Sequence, residues 1–308
     1  MKHTILGAGG PVSNALTREL ENNNQHTHLV SRKPLQTKGN TTWAKADLTS
    51  HAEVRQAAKG SDIIYLCAGL IYDKTIWQQQ WPQIMQNVID VAKENNSRLI
   101  FFDNVYMYGQ VNGPMTENTP YNPCSAKGEV RAKIATQLMD EAKTGNIKAS
   151  IARAADFYGS EQLKSFVDMM VLDKYAKKQK AQWIGKPELK HSFTYVPDAG
   201  KGMYLLGQHP ESDNQIWHMP TAPALSGRAF IELAAKVFNV EPKYSTINKL
   251  MMRLAGLFSR DIRSSVEMYY QYDKDYIFDS TKFERAFSFK ATNYETGLKE
   301  FSKFLTTV

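Results

Sequence analysis

The residues best suited to chemistry near the start of the chain are glycines. Gly7-Ala8-Gly9-Gly10-Pro11-Val12-Ser13 follows a short apolar run at 3–6 and opens a stretch of helical spacing at 12–21. A tight strand-to-helix turn needs glycine, and residues lacking side chains let backbone N–H groups approach a pyrophosphate at the positive end of a helix. Three glycines in the four positions 7–10 exceed what a plain turn requires. The turn from Gly7 to Val12 is therefore read as a dinucleotide-binding element, with Ser13 small enough to stand where a further glycine would let helix and strand pack closest. A second chemical signal is Ser31-Arg32-Lys33, at the end of the second apolar run. An acidic residue there would accept hydrogen bonds from the ribose diol and select NAD, whereas cations and a hydroxyl suit a 2′-phosphate. This predicts NADP, with NAD as the alternative. Asp47-Leu48 follows the third run, where the carboxylate can contact adenine or leave capping to Thr49 and Ser50. Ala68-Gly69 closes the fourth; small residues there let a ribose pass close by, and equally suit a tight turn.

These positions make sense only if strands and helices alternate. Short apolar runs at 3–6, 28–31, 42–45, 62–67, 98–103 and 148–153 are separated by segments of helical spacing at 12–21, 52–58, 81–94 and 127–142. In the last of these Val130, Ile134 and Leu138 recur four apart, and Gly145-Asn146 ends it. Parallel strands need crossover helices, and right-handed crossovers place the ligand crevice at the strands' carboxyl ends. The expected fold is α/β: a Rossmann-type doubly wound parallel sheet with a smaller, mostly helical C-terminal substrate lobe. We place the dinucleotide domain at 1–160 with 191–210 returning to it, and the substrate lobe mainly at 161–308. Beyond Gly159 helices are expected at 165–180, 198–206, 228–238, 249–258, 264–272 and 294–305, with strand-like pieces at 183–185 and 191–196.

Composition removes other classes. In 308 residues, 42% hydrophobic and 11% aromatic content supplies a core that a disordered chain lacks, and two cysteines cannot staple a fold of this length. Cys67 and Cys124 show no bridge or metal spacing, so a reducing, cytoplasmic setting and no metal are expected. The formal charge of +7 raises nucleic acid as a partner. The one dense basic run, Lys174 to Lys180, reads as a solvated helix face, so nucleic acid is not expected. The longest apolar stretch, 63–72, is about half of what a bilayer span needs. Glycines interrupt the apolar start, which argues against a signal peptide, and no membrane partner is expected.

Taken together the motifs resemble the short-chain dehydrogenase/reductase superfamily, in its extended NAD(P)-dependent epimerase/dehydratase branch. Gly7-xx-Gly10-xx-Ser13 is similar to its GxxGxxG, Asp47-Leu48 to its adenine-contacting Asp-Leu, and Tyr108-Gly109 to its Val-Tyr-Gly. Pro123-Cys124-Ser125-Ala126-Lys127-Gly128-Glu129-Val130-Arg131 resembles Pro-x-Ser-x-Tyr-Gly-x-x-Lys. Arg153 through Gly159 resembles Arg-Pro-x-x-x-Tyr-Gly, and His191 through Asp198 resembles Arg-Asp-Phe-x-Tyr-Val-x-Asp. The resemblance places Ala154 beside the cofactor, with Asp156, Phe157 and Tyr158 on the nicotinamide or substrate side.

The departures concern the chemistry. The family's Ser/Thr, Tyr and Lys are here Asn104, Lys127 and Arg131. Arg131 lies one helical turn beyond Lys127 and can bond a ribose diol, but cannot release a proton near neutrality. Lys127 could serve as the acid only if Arg131 or burial depressed its pKa. Asn104 can orient a carbonyl, and Tyr106 or Tyr108 could supply the missing phenol, Tyr108 standing at a position that is structural in the family. Asp103 reads as a turn former or a supporting carboxylate, and His191 as a hydrogen-bonded structural histidine. The pattern implies an NADP-linked oxidoreductase or epimerase acting on a small polar or sugar-like molecule. The alternative is a catalytically silent NADP-binding regulatory or redox-sensing protein. The resemblance also implies a homodimer through the 127–142 helix.

Overall fold

Six short apolar segments form parallel strands: β1 (Lys2–Leu6), β2 (His26–Ser31), β3 (Thr41–Lys45), β4 (Ile63–Leu66), β5 (Arg98–Asp103) and β6 (Lys148–Arg153). The computed structural model describes residues 1–307, with side chains to residue 305. The sheet runs β3-β2-β1-β4-β5-β6, and a seventh parallel strand, Ile216–His218, pairs with β6 at the edge. Strand order reverses between β1 and β4, so the crevice of this doubly wound sheet opens where the glycine turn leaves β1. β4 is buried along its whole length, as a strand covered on both faces must be.

Two apolar layers cover the sheet. On one face α3 (Lys74–Asn95) and α4 (Ala126–Lys143) bury Trp81, Met85, Val88, Ile134 and Leu138 against Leu66, Leu99 and Phe101. On the other, α1 (Pro11–Asn22) and the helix Val196–Gln208 bury Leu16, Leu20, Met203 and Leu206 against Ile5, Tyr65 and Ile100. These two helices nearly touch, since a Cβ added to Gly200 would lie 2.5 Å from Ala15 Cβ. A third core, with Tyr158, Trp183, Phe193, Phe230 and Leu298, holds the C-terminal elements together.

Several boundaries differ from expectation. α3 begins at Lys74 rather than 81, because Asp73 caps it by accepting from the Thr75 and Ile76 amides, and Pro82 is accommodated inside. The segment expected as one helix at 165–180 is a π-helical stretch, Asp168–Leu172, followed by the short α-helix Asp173–Ala176. The 249–258 helix stops at Ala255, and 264–272 is the end of Arg260–Ser265 followed by a 3-10 stretch, Val266–Tyr272. The strand Ile216–His218 and the strand Tyr244–Ile247 were not expected.

His218 on the edge strand is fully buried. Its Nε2 meets Tyr108 Oη at 2.8 Å and its Nδ1 the Asp279 carbonyl at 2.8 Å. Burial, with Arg153 nearby, pulls its pKa down to about 3. The folded chain keeps this ring neutral while the unfolded chain protonates it below about pH 6.5, so acid favours unfolding. The stability advantage of the parent over His218→Gln should shrink by about 1.4 kcal/mol for each pH unit below about 6.5. Denaturant titrations at neutral and mildly acidic pH check this, and an advantage independent of pH contradicts it.

Candidate functional site

The glycine turn is fixed from both sides. The Gly7 and Ala8 amides each donate to the Val30 carbonyl at 3.0 Å, tying the turn to the end of β2. Gly7 has φ +82°, and a Cβ there would lie 2.4 Å from Ala68 Cα, so the ends of β1 and β4 are in backbone contact. At Gly10 a Cβ would meet only Ser13 Oγ, at 3.7 Å. Bare backbone is therefore presented to the open groove at the start of α1, where Pro11 has no N–H and the following first-turn amides lack helical partners. Ser13 accepts from the Gly10 amide at 2.8 Å, locking the turn from within. Gln162 reaches back over it, donating to the Gly9 carbonyl at 2.7 Å.

From this turn a groove of about 1010 Å³ follows the carboxyl ends of the strands, a volume at the upper end of ligand pockets. At one end lie Ser31, Arg32, Lys33, Asp47 and Leu48; at the other, Phe102, Asp103, Asn104, Arg131 and Phe157, with Ala68 and Gly69 between. Arg32 and Lys33 are exposed. The Ser31 hydroxyl donates to the Lys33 carbonyl at 2.6 Å and accepts from Trp43 Nε1 at 2.9 Å, so it shapes the basic loop. Asp47 Oδ1 accepts from the Thr49 amide and hydroxyl, bonds that hold its carboxyl below the usual range, while Ser50 caps α2 (His51–Ala57). Ala154 is buried, donates its amide to the Asp103 carbonyl, and does not line the groove. The residues present fit a dinucleotide: bare backbone is open to phosphates, cations stand at one end, and the groove continues to polar side chains at the other.

At that far end a buried charge cluster forms the floor. Asp103 accepts from Arg131 Nη1 at 3.2 Å and from Arg153 Nε at 3.5 Å. Burial pushes the Asp103 carboxyl up and pulls the Arg131 guanidinium down, and each opposes the other's shift. Two guanidiniums on one carboxylate offset the loss of water. Arg131 also lies 4.0 Å from the Trp81 ring centre and 4.7 Å from that of Trp77. Asn104 Oδ1 accepts from the Tyr106 amide at 3.0 Å, which leaves its amide nitrogen as a donor for a ligand.

Of the four residues expected to do chemistry, Asn104 and Arg131 line the groove, while Lys127 and Tyr106 stand outside its lining. The Lys127 side chain is 0% exposed, and its Nζ donates to Glu267 Oε1 at 2.6 Å and to the Ser264 carbonyl at 2.7 Å. The Tyr106 hydroxyl accepts from Tyr72 at 3.2 Å. Burial, then the nearby Asp156 charge, pushes the Tyr106 phenol up to about 12. Sequence reasoning missed Glu267, Tyr72 and Tyr272. Asp156 Oδ2 accepts from the Tyr272 hydroxyl and sits opposite His191 Nε2, both at 3.0 Å. These partners come from distant chain positions, and no local signal announces them. Trp77 was missed as well, since the expected helix began at 81; its spacing of four from Trp81 on α3 is the one signal that could have found it.

The sheet order and the groove at its switch point define a Rossmann-type dinucleotide-binding α/β protein. The chain belongs to the NAD dependent epimerase/dehydratase family, whose model matches residues 3–219. No curated protein matches it. Solved structures of the same fold include MoeE5 in complex with UDP-glucose and NAD, at TM-score 0.80 and 18% identity over 99% of this chain and 98% of that one. UDP-glucuronic acid 4-epimerase from Bacillus cereus, in complex with UDP-glucuronic acid and NAD, has TM-score 0.80 and 14% identity over 100% and 99%. A dTDP-glucose 4,6-dehydratase from Bacillus anthracis in complex with NAD has TM-score 0.82 and 13% identity over 100% and 97%.

Removing one member of a buried ion cluster leaves the others uncompensated. Asp103→Asn should lower stability by about 3–5 kcal/mol, measured by urea denaturation. A loss below about 1 kcal/mol, the range of an exposed pair, would show that the cluster does not hold the fold.

Proposed function

We propose that this protein binds NADP(H) in the groove and acts as an oxidoreductase, or an epimerase working by transient hydride transfer, on a small polar or sugar-like substrate. The observation that carries this reading is the continuity of the groove, from bare glycine backbone and exposed Arg32 and Lys33 to Asn104 and Arg131. The cofactor, when bound, supplies or accepts the hydride. Arg32 and Lys33 would pair with its 2′-phosphate, and Arg131 would bond its nicotinamide ribose. Asn104 would orient the substrate oxygen through its free amide N–H. Tyr106, two residues past Asn104 and just beyond the groove's lining, would donate the proton to a substrate that extends past Asn104: its oxygen already accepts from Tyr72, so its own hydrogen is left to give, and its raised pKa keeps that hydrogen in place at neutral pH. Lys127, bonded to Glu267 and Ser264, would hold the C-terminal lobe against α4.

A second reading, a catalytically silent NADP(H)-binding protein, is favoured by a specific observation. Both cations that replace the family's Tyr and Lys are engaged in ion pairs, Lys127 with Glu267 and Arg131 with Asp103.

Fluorescence titration should show tighter binding of NADPH than of NADH, and Arg32→Ala should reduce the difference by about tenfold or more, since a charge-assisted contact is lost. Equal affinities in the parent would remove the NADP assignment. With a panel of carbonyl substrates, Tyr106→Phe should lower turnover by about a hundredfold or more at unchanged NADPH affinity, while Lys127→Met retains it. Tight NADPH binding with no turnover of any substrate selects the silent reading.

A further inference from the structure

Large apolar side chains left in solvent are not scattered over this protein. Among the described residues nine are exposed, and six of them, Leu250, Met251, Leu254, Leu257, Phe258 and Ile262, fall between positions 250 and 262. The segment consists of the short helix Lys249–Ala255, a turn, and the short helix Arg260–Ser265. Only Met252 of the first helix turns inward, and the second buries no residue. Phe258, at the apex of the turn, is 93% exposed. Soluble proteins rarely leave such a patch without an occupant.

Charge identifies the occupant. Lys249, Arg253, Arg260 and Arg263 are exposed in the same stretch against Asp261 within it and Asp73, which pairs with Arg260, a balance of four minus two, or +2. We propose that this segment is a membrane-docking element whose apolar side chains enter the headgroup region of an anionic bilayer while its cations pair with lipid phosphates and carboxylates. Apolar residues flanked by Lys and Arg are the composition of a segment that lies in the interface. Each cation near an anionic surface adds attraction, and the chain's net +7 acts in the same direction. A second copy of this chain is a poor occupant, because a two-fold contact would set +2 against +2. No helix among the described residues is long and apolar enough to cross a membrane, so the segment lies on the surface. The expectation of no membrane partner rests on run length and on the glycine-interrupted start, which bear on spanning and export and not on surface docking.

The patch is firmly attached to the rest of the molecule. Arg260 bonds Asp73, the cap of α3, at 2.9 Å, beside exposed Ile71. The base of the segment is gripped by Lys127 through the Ser264 carbonyl. Gly69 and Leu70, next to Ile71 in the chain, line the groove, so docking would bring one wall of the groove close to the lipid surface.

Vesicle co-sedimentation of the full chain tests this. Binding is expected to vesicles of phosphatidylcholine with about one third phosphatidylserine and much less to phosphatidylcholine alone, weakening as salt rises from about 0.1 to 0.5 M. The double variant L257S/F258S should lose at least about tenfold in affinity, and Arg253→Glu should weaken binding and its salt dependence, with circular dichroism spectra and melting unchanged. Absence of parent binding at low salt overturns the proposal, as does binding indifferent to both variants. A concentration-dependent dimer in solution, abolished by L257S/F258S and unaccompanied by vesicle binding, assigns the patch to a second copy instead. Capture of an acidic protein through the patch, without lipid binding, also overturns it.

Discussion

One buried carboxylate joins the parts of this protein that meet at the end of the groove. Asp103 closes β5 and receives Arg131 from α4 and Arg153 from β6. Arg153 continues to the hydroxyls of Tyr108 and Tyr121, and Tyr108 passes the chain of bonds to His218 on the edge strand, whose other nitrogen faces the Asp279 carbonyl. A charge removed from water is tolerated only while its partners stay in place. The positions of α4, β6, the loop after β5 and the C-terminal residues near 279 are therefore mutually constrained. Arg131, a wall of the groove, owes its pose as much to this network and to the Trp77 and Trp81 rings as to any ligand.

The same reasoning explains how the chain keeps a lysine fully buried at position 127. A phenol at position 127 would need no counter-ion, whereas a lysine at a fully buried position does. Glu267 supplies it from 140 positions away, and also accepts from the Ala126 amide at the start of α4. Lys127 thus ties α4 to the 3-10 stretch that carries Glu267, and the neighbouring Tyr72 ring, 4.2 Å from Lys127 Nζ, completes the cation's surroundings. Tyr72 in turn bonds Tyr106, so the burial of Lys127 and the pose of Tyr106 are parts of one packing solution.

What was legible in the sequence was local or periodic. The strands read clearly because a strand buried on both faces is an uninterrupted apolar run, as at Ile63 to Leu66. The glycine turn was legible because positive φ and backbone contact with Ala68 leave no room for a side chain at Gly7. The first turns of α3 were lost because Gln78-Gln79-Gln80 and Pro82 hide the helical period, although Asp73 was there as a cap. Three residues, Ile216–His218, are too few to show a period, and their strand forms only because β6 offers an edge. Distant pairings such as Lys127 with Glu267 or Asp156 with Tyr272 leave no trace in spacing. Ser31 shows a subtler limit: its type was right for a phosphate, yet its hydroxyl proton goes to its own loop.

Bulk composition is blind to placement, and the exposed 250–262 segment is the clearest case. A hydrophobic content of 42% is ordinary, and no run in the segment is long enough to attract attention. Only accessibility separates Leu257 and Phe258, in solvent, from Met252, which packs inward. The segment keeps its place through polar contacts at its ends, Arg260 with Asp73 on one side and the Ser264 carbonyl with Lys127 on the other. An apolar surface held by polar anchors can stay exposed without collapsing onto the core. Those anchors lead to the cap of α3 and to the buried cation of α4, so a load on the docking surface is borne by the same helices that form the far wall of the groove.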